Sequence, residues 1–339
     1  GFILAGVTTP EPPPHYSTFE NWLVEGHHGT MSYLATERSR MRRANPREIL
    51  PECKSILVLA TPYSPPRPMG EGIGARENIA SYAWGADYHD VLPGRMKELV
   101  QFIEEQVGGP VKNQCYTDTG PILERDLAQR AGIGWIGKNT CLINPKCGSY
   151  FLLSEILLDL ALEPDPPFLT DHCGRCTRCI QACPTDCILP NRTIDATRCI
   201  SYLTIEFKDD IPTELREKIG NWVFGCDICQ MVCPWNRFAG EGDSAFERKE
   251  PDHPLTDELN LTPQEFNQRF KRTPIKRAKR GGYLRNVAVA LGNTGDMYAL
   301  PVLQNALNDE EPMVREHAKW AIEKINRQVG ATRQDEKNT

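Results

Sequence analysis

The chain has 339 residues, of which 40% are hydrophobic and 25% charged, the composition of an ordinary soluble globular protein of two or three domains. No apolar run approaches the length of a membrane span and no signal peptide is visible, so we expect no membrane partner. The formal net charge of −6 excludes binding to nucleic acid through overall charge and leaves only a local basic patch for such a role.

The first part of the chain predicts alternating strands and helices. Residues 2–8 form a short apolar run typical of a buried strand, and because it follows Gly1 at once we expect residues to precede it in the full protein. A helix is predicted over 17–28 and a second apolar strand over 55–63, followed by an amphipathic helix. We therefore predict an α/β domain over residues 1–165 of an α+β protein.

Two polar segments of this domain stand next to predicted helix starts. Tyr82–Asp90 (Y-A-W-G-A-D-Y-H-D) holds aromatic, histidine and acidic side chains directly before a helix, where side chains commonly face a cleft. Asp118 precedes a helix predicted over 122–131. It either caps that helix or faces a pocket.

The glycine-rich octet 132–139 (G-I-G-W-I-G-K-N) matches a dinucleotide fingerprint and nearly matches a phosphate-binding loop. We reject both interpretations. A helical segment precedes the octet and a strand follows it, which is the reverse of the required order, and Asn139 replaces the hydroxyl that magnesium needs. The glycines instead predict a helix end and a close backbone approach to a large ligand.

Two cysteine motifs follow the first domain. Residues 173–184 read C-G-R-C-T-R-C-I-Q-A-C-P, the C-x₂-C-x₂-C-x₃-C-P ligand run of bacterial two-cluster ferredoxins. Its fourth cysteine usually binds the other cluster, and a partner motif, C-x₂-C-x₃-C-P, ends at Cys233-Pro234. Crossed ligation predicts two 4Fe–4S clusters over residues 166–240, one held by Cys173, Cys176, Cys179 and Cys233 and the other by Cys183, Cys199, Cys226 and Cys229.

Structural zinc and disulfides are the alternatives for these cysteines. Zinc favours two C-x₂-C pairs, often with histidine, and fits eight cysteines with two C-P endings poorly. The remaining five cysteines are odd in number and scattered, which suits a reducing cytoplasm better than a secreted disulfide framework. Among them, Cys187 lies beside the ligand run, and we predict that it is not a ligand.

The last part of the chain, residues 241–339, combines a basic stretch with helices. Residues 269–285 contain eight Lys/Arg and no acid, and we favour contact with a nucleic-acid backbone over a solubilising loop. Helices are predicted near 283–291, 299–308 and 312–326, in an arrangement that resembles a short HEAT-type repeat. The polar residues 329–339 that follow are predicted to be disordered.

Five sequence motifs carry a resemblance to a known family. With the cysteine run, they resemble the epoxyqueuosine reductases across nearly the whole chain. They are D-T-G-P-I-L-E-R (118–125), A-G-I-G-W-I-G-K-N (131–139), G-S-Y-F-L-L-S-E (148–155), C-I-S-Y-L-T-I-E (199–206) and F-G-C-D-I-C-Q-M-V-C-P-W-N (224–236).

The resemblance implies a chemistry and a set of partners. It implies cobalamin on a nitroreductase- or reductive-dehalogenase-like N-terminal domain, a ferredoxin-like domain with two 4Fe–4S clusters, and a HEAT-like C-terminal domain. Electrons from an external donor such as a flavodoxin or ferredoxin would pass through the clusters to cobalt. The epoxide of epoxyqueuosine in a tRNA anticodon stem-loop would be reduced to queuosine by a cytoplasmic monomer.

The resemblance also implies roles for individual residues. Asp118 would donate the proton that the opening epoxide needs, and such an acid needs a raised pKa. Tyr88 and His89 would line the substrate pocket. The residues expected near cobalamin are Arg43, Asp118, Ile143, Leu153, Ile156 and Ser201. The residues expected to contact tRNA are Lys276, Arg277, Lys279 and Arg280.

Two other functions share some of these features. A cobalamin-dependent reductive dehalogenase acting on a small molecule has the same clusters and cofactor, but the basic stretch and the predicted helical repeat favour tRNA. A plain electron-carrier subunit would hold the clusters alone, and the long N-terminal domain is unexplained in that case.

Overall fold

The computed structural model describes residues 1–66, 78–248 and 253–338, with side chains described as far as residue 329. Within these residues the chain forms two compact units. Unit 1 comprises Gly1–Pro66, Gly85–Thr197 and Ile228–Glu247, and unit 2 comprises the remaining described residues. Segments of the predicted cysteine-rich domain, residues 166–240, belong to both units.

The secondary structure elements are as follows, in chain order. The strands are β1 Leu4–Thr8, β2 Ser55–Pro62, β3 Asn78–Ile79, β4 Asn113–Tyr116, β5 Trp135–Ile136, β6 Leu142–Ile143, β7 Phe151–Leu158 and β8 Trp222–Phe224. The α-helices are α1 Tyr16–Val24, α2 Glu37–Ala44, α3 Tyr88–Val107, α4 Glu124–Arg130, α5 Arg178–Ala182, α6 Ile200–Ile205, α7 Thr213–Arg216, α8 Ile228–Met231, α9 Leu255–Glu258, α10 Pro263–Arg269, α11 Lys279–Thr294, α12 Leu300–Ala306 and α13 Pro312–Asn338. Short 3-10 helices cover Ser32–Leu34, Pro46–Glu48, Ser81–Ala83, Ala196–Arg198, Pro234–Phe238, Ser244–Phe246, Pro274–Ala278 and Met297–Ala299.

Unit 1 is built on an antiparallel sheet of four described strands in the order β1-β2-β7-β4. β2 and β7 are central and almost wholly apolar, because both of their faces are covered. One face packs on a core that includes Val58, Leu127 and Leu157. The other packs on a core with Met96 and Val100 of α3. The strands predicted over 2–8 and 55–63 are confirmed as β1 and β2.

The glycine octet ends α4 and forms the hairpin of β5 and β6. Gly132 has φ +73°, the left-handed conformation that glycine adopts at no steric cost. A Cβ at Gly134 would overlap the backbone carbonyl of Ile143. The predicted helix end is confirmed, and the glycine at position 134 allows a close backbone approach to β6.

Unit 2 is organised around α11, which is buried along nearly its whole length and packs on α13. Arg285 of this helix is fully buried and donates to the carbonyl oxygens of Leu203, Phe207 and Asp209. Arg285 was counted in the basic stretch, and its burial corrects that interpretation, because this guanidinium cannot face a phosphate. The helices predicted near 283–291, 299–308 and 312–326 are present as α11, α12 and α13.

The C-terminal end differs from its prediction. The tail predicted to be disordered continues α13 as far as Asn338. Helix-forming residues over 312–326 provide a nucleus from which the helix propagates into the polar segment. Among the described residues, no helix combines the length and the apolar character that crossing a bilayer requires.

Candidate active site

Asp118 lies on the turn between β4 and α4. Its backbone is left-handed, with φ 59°, which is uncommon for a residue with a side chain but tolerated by Asp and Asn. The Asp118 N–H donates to Oε1 of Glu124 at 2.6 Å, so the first turn of α4 holds this backbone in place. The side chain is 63% exposed and therefore accessible to a substrate.

Tyr88 and His89 reach the same carboxylate from the start of α3. The Tyr88 hydroxyl donates to Oδ2 of Asp118 at 2.9 Å, and Nε2 of His89 lies 3.5 Å from that oxygen. Asp87 caps α3 and accepts from the His89 backbone N–H, while its Oδ1 lies 2.8 Å from Nδ1 of the ring. The structure thus brings Asp118, Tyr88 and His89 together, and Asp87 fixes the orientation of the imidazole.

This arrangement places the proton on His89. Burial disfavours the imidazolium, but Asp118 and Asp87 on its two nitrogens outweigh that effect and raise the His89 pKa to about 9. The surrounding protein also disfavours a charged Asp118, yet the interactions with His89 and Tyr88 hold the Asp118 pKa below its ordinary value. These contacts favour a charged Asp118 beside a protonated His89, and the raised pKa expected for Asp118 when it acts as the proton donor stays a prediction.

The His89 titration is directly measurable. By NMR of the labelled ring we expect a pKa near 9 in place of 6.5. Since the folded pKa is the raised one, the stability that this imidazolium contributes is fully present below about pH 6.5 and is lost as the pH rises through about 9. Asp118→Asn should move the titration downward, because one of the two carboxylates is gone. An unchanged midpoint in that variant would contradict the pairing.

Two further carboxylates lie behind Asp118. Glu155 of β7 is fully buried, and Glu124 lies at the start of α4. Burial, followed by the Asp118 charge, raises the Glu124 pKa to about 7. Burial, followed by the Glu124 charge, raises the Glu155 pKa well above its ordinary value. Neither residue was predicted, although an acid within the apolar run 151–158 was a visible signal.

Arg43, predicted to contact cobalamin, supports the Asp118 turn instead of facing open space. It is 9% exposed, lies over the Phe19 ring, and donates to Ser39 and, at 3.5 Å, to the Gly120 carbonyl oxygen. Burial lowers the pKa of its guanidinium, with the charge of Glu124 acting in the opposite direction.

The other predicted cobalamin contacts lie on several elements. Leu153 packs on one face of the sheet and Ile156, fully buried, on the other, because successive side chains of a strand alternate. The Ile156 side chain is enclosed by the α3 core, and its contact with cobalamin stays a prediction. Ile143 lines a pocket with the cluster cysteines. Ser201 lies on α6, in unit 2.

The predicted ligands of the first cluster surround one pocket. They are Cys173, Cys176, Cys179 and Cys233, and all four line it. Trp135 Nε1 lies 3.5 Å from Sγ of Cys173, and Lys138 Nζ donates to the carbonyls of Gly174 and Cys176 at 2.8 and 3.0 Å. A nearby cation and an indole N–H suit the negative charge of a thiolate-ligated cluster, so the residues present fit such a group.

The second set of cysteines is divided between the units. Cys183 and Cys229 belong to unit 1, and Cys199 and Cys226 to unit 2, so their joint ligation stays a prediction. Cys187 is buried, with its Sγ 3.4 Å from Sγ of Cys183. Within the described residues no three His, Cys, Asp or Glu side chains are close enough to bind one metal ion. This result applies to single metal ions. It does not argue against a four-iron cluster, because such a cluster holds its thiolates farther apart than a single ion does.

The basic residues predicted to contact tRNA differ in their surroundings. Lys276, Arg277 and Lys279 are exposed, and Arg277 also pairs with Glu206 at 2.9 Å. Arg280 is largely buried, and its guanidinium is held by Asp309 at 2.6 Å. Arg280 therefore stabilises unit 2 and is poorly placed for phosphate, whereas the exposed lysines stay the better candidates.

Comparisons with known proteins identify relatives over nearly the whole chain. The family model described as "Epoxyqueuosine reductase QueG, DUF1730" matches residues 43–119, and a 4Fe-4S double cluster binding domain matches residues 172–236. The epoxyqueuosine reductase of Pseudomonas aeruginosa is 40% identical over 329 residues, which cover 95% of this chain and 90% of the relative.

Solved structures give the same result. An epoxyqueuosine reductase crystallised with an epoxyqueuosine-modified tRNA-Tyr stem loop superposes with a TM-score of 0.84 at 33% identity, over 96% of this chain and 87% of that one. The Bacillus subtilis epoxyqueuosine reductase, solved with the loop of its catalytic aspartate swung out of the active site, has the same TM-score, identity and coverage.

Proposed function

The chain belongs to the epoxyqueuosine reductase family, and from that premise we propose that it reduces the epoxide of epoxyqueuosine to queuosine in tRNA. The reaction takes up two electrons and two protons and releases the oxygen as water, leaving a carbon–carbon double bond. The observation that carries the proposal is the convergence of Tyr88 and His89 on the exposed carboxylate of Asp118.

In this proposal, Asp118 and His89 act as one proton donor. The epoxide oxygen gains negative charge as its C–O bond breaks, and an acid placed beside it lowers the barrier. Asp118 presents its exposed carboxylate to the substrate, and the proton held on His89 reaches the epoxide oxygen through that carboxylate. Asp87 keeps the imidazole in position as it loses charge.

Cobalamin is the proposed reductant beside Asp118, on the strength of the family resemblance. When bound, it would supply both electrons at the epoxide carbon. An exposed Asp118 on a turn fixed by Glu124 and Arg43 fits a ligand that packs against this surface. The cysteine pocket would hold the first 4Fe–4S cluster, and the divided second set would hold the other. The external donor would be a flavodoxin or ferredoxin.

The proposal is tested by mass spectrometry of tRNA. The chain, with its clusters reconstituted and cobalamin added, is incubated anaerobically with a chemical reductant and epoxyqueuosine-containing tRNA. We expect the modified nucleoside to lose one oxygen. Nucleoside of unchanged mass with a fully loaded protein contradicts the proposal, and loss of halide from a haloaromatic under the same conditions favours a dehalogenase instead.

We further propose that the exposed lysines near α11 bind the tRNA backbone, next to the HEAT-like helices of unit 2. The double variant Lys276→Glu with Lys279→Glu should weaken tRNA binding. It should also reduce the slope of the logarithm of the association constant against the logarithm of the salt concentration by about 2, because each lost phosphate contact removes about 0.9. The double variant Lys218→Glu with Lys319→Glu, at two other exposed positions of unit 2, is the charge-matched control. Equal effects of the variants and the control would argue against a local binding surface.

A further inference from the structure

Glu155 lies where an apolar residue is expected. It occupies the middle of β7 and is fully buried, and no hydrogen-bond donor reaches its carboxyl oxygens among the described residues. The side chain within hydrogen-bonding reach is another carboxyl group, that of Glu124. Its register partners are Val58 of β2 and Tyr116 of β4, and the same face carries Leu153 and Leu157 of the apolar core. An ionised carboxylate in these surroundings costs far more than a neutral one.

The neighbouring group is Glu124, which connects Glu155 to the proposed proton donor. Glu124 accepts the Asp118 N–H at 2.6 Å and so anchors a residue whose backbone is left-handed. An ionised Glu124 is a stronger acceptor for that N–H than a neutral one. Two ionised carboxylates side by side in a core repel each other, so one of the pair must carry a proton.

We propose that Glu155 is a positioning residue: it keeps its proton, donates it in a hydrogen bond to Glu124, and thereby holds Glu124 as the anionic anchor of the Asp118 backbone. The proposal deepens the function proposed above and rests on Asp118 acting in proton transfer. Glu155 would act on the reaction through Glu124 and Asp118. This role explains why an acid occupies a core position that a leucine would otherwise fill.

The electrostatics support this order of protonation. Burial first and Glu124 second raise the Glu155 pKa well above its ordinary value, whereas Glu124 titrates at about 7. Glu155 is therefore the group that stays neutral. The other charged groups near the pair are Asp118, which raises both pKa values, and Arg125, which lowers that of Glu124. The buried guanidinium of Arg43 also interacts with the Glu124 charge.

Two variants of the holoenzyme separate positioning from packing. Glu155→Gln is neutral at every pH and can still donate to Glu124, while Glu155→Leu fills the core but donates nothing. By hydrogen exchange, the peptide containing Asp118 should stay protected in Glu155→Gln and become unprotected in Glu155→Leu. Infrared difference spectra at pH 9, where Glu124 with its pKa of about 7 is ionised, should show a protonated carboxylic acid in the wild type that both variants lack.

Activity gives a third readout. Glu155→Gln should retain the wild-type turnover number and the Glu155→Leu value should fall about a hundredfold with KM unchanged, as misplacement of a reacting group does. The melting temperature of Glu155→Leu should be equal to or above the wild type, because an apolar side chain replaces a buried acid.

Three results would overturn the proposal: no acid band at pH 9, a protected Asp118 peptide in Glu155→Leu, or equal loss of turnover in both variants. If the wild type leaves epoxyqueuosine unchanged, the function proposed above fails. The infrared and exchange measurements still decide the protonation of Glu155 and its hold on Asp118, because they require no substrate.

Discussion

Asp118→Asn should lower the turnover number by about two to four orders of magnitude, the range that general acid catalysis supplies. Asparagine tolerates the left-handed backbone at this position and can still accept from the Tyr88 hydroxyl, so the fold should be preserved. What it removes is the charge that holds the proton on His89 and the carboxyl through which that proton passes. The measurement is single-turnover conversion of epoxyqueuosine tRNA at saturating cofactor.

Asp90→Asn is the matched control, because Asp90 lies in the first turn of the same helix as His89 but is exposed. It should leave turnover unchanged, and tRNA affinity should be unchanged in both variants. Wild-type turnover in Asp118→Asn would remove Asp118 from the chemistry. A loss of tRNA affinity equal to the loss of turnover would give it a binding role instead.

The second large effect is expected at the cysteine pocket. Cys233→Ala should remove the iron and sulfide of one cluster and abolish turnover, because Cys233 is a predicted ligand from a distant part of the chain and lines one pocket with the cysteines of the 173–179 run. The remaining three thiolates leave one iron open to solvent, and we expect the cluster to be lost or converted. Iron and sulfide assays with anaerobic visible spectra measure the outcome.

Cys147→Ala controls for the loss of a thiol. Cys147 is partly buried beside the sheet core of unit 1 and was assigned to neither cluster. The iron and sulfide content of the Cys147→Ala variant should equal that of the wild type. Equal iron in Cys233→Ala and Cys147→Ala would show that Cys233 is not a ligand, and the crossed assignment of the two motifs would then be wrong.

The cysteine motifs and the apolar strands were the parts most readily predicted from sequence. The cysteine spacing predicted a double-cluster 4Fe–4S domain, which is confirmed over residues 172–236, while the assignment of each cysteine to a cluster stays a prediction. The apolar run over 55–63 identified the strand β2. The resemblance also indicated Asp118, Tyr88 and His89, which lie on one network.

The charge state of that network could not be predicted. It depends on Asp87 and Asp118 flanking the His89 ring, and on Glu124 and Glu155 from separate elements, and sequence distance conceals such contacts. The same limit applies to the basic stretch. Its composition indicates charge, but only the packing of α11 reveals that Arg285 is buried and that Arg280 is engaged by Asp309.

The division of the chain between the units has a consequence for biosynthesis. Unit 1 needs Ile228–Glu247, which are translated after the whole of Arg198–Asp227 has been made for unit 2. Cys233 is also the last ligand of its set to leave the ribosome. Iron–sulfur carriers that load this protein should therefore deliver the first cluster only after most of the chain has emerged, and ribosome-bound nascent chains truncated before Cys233 should not retain it.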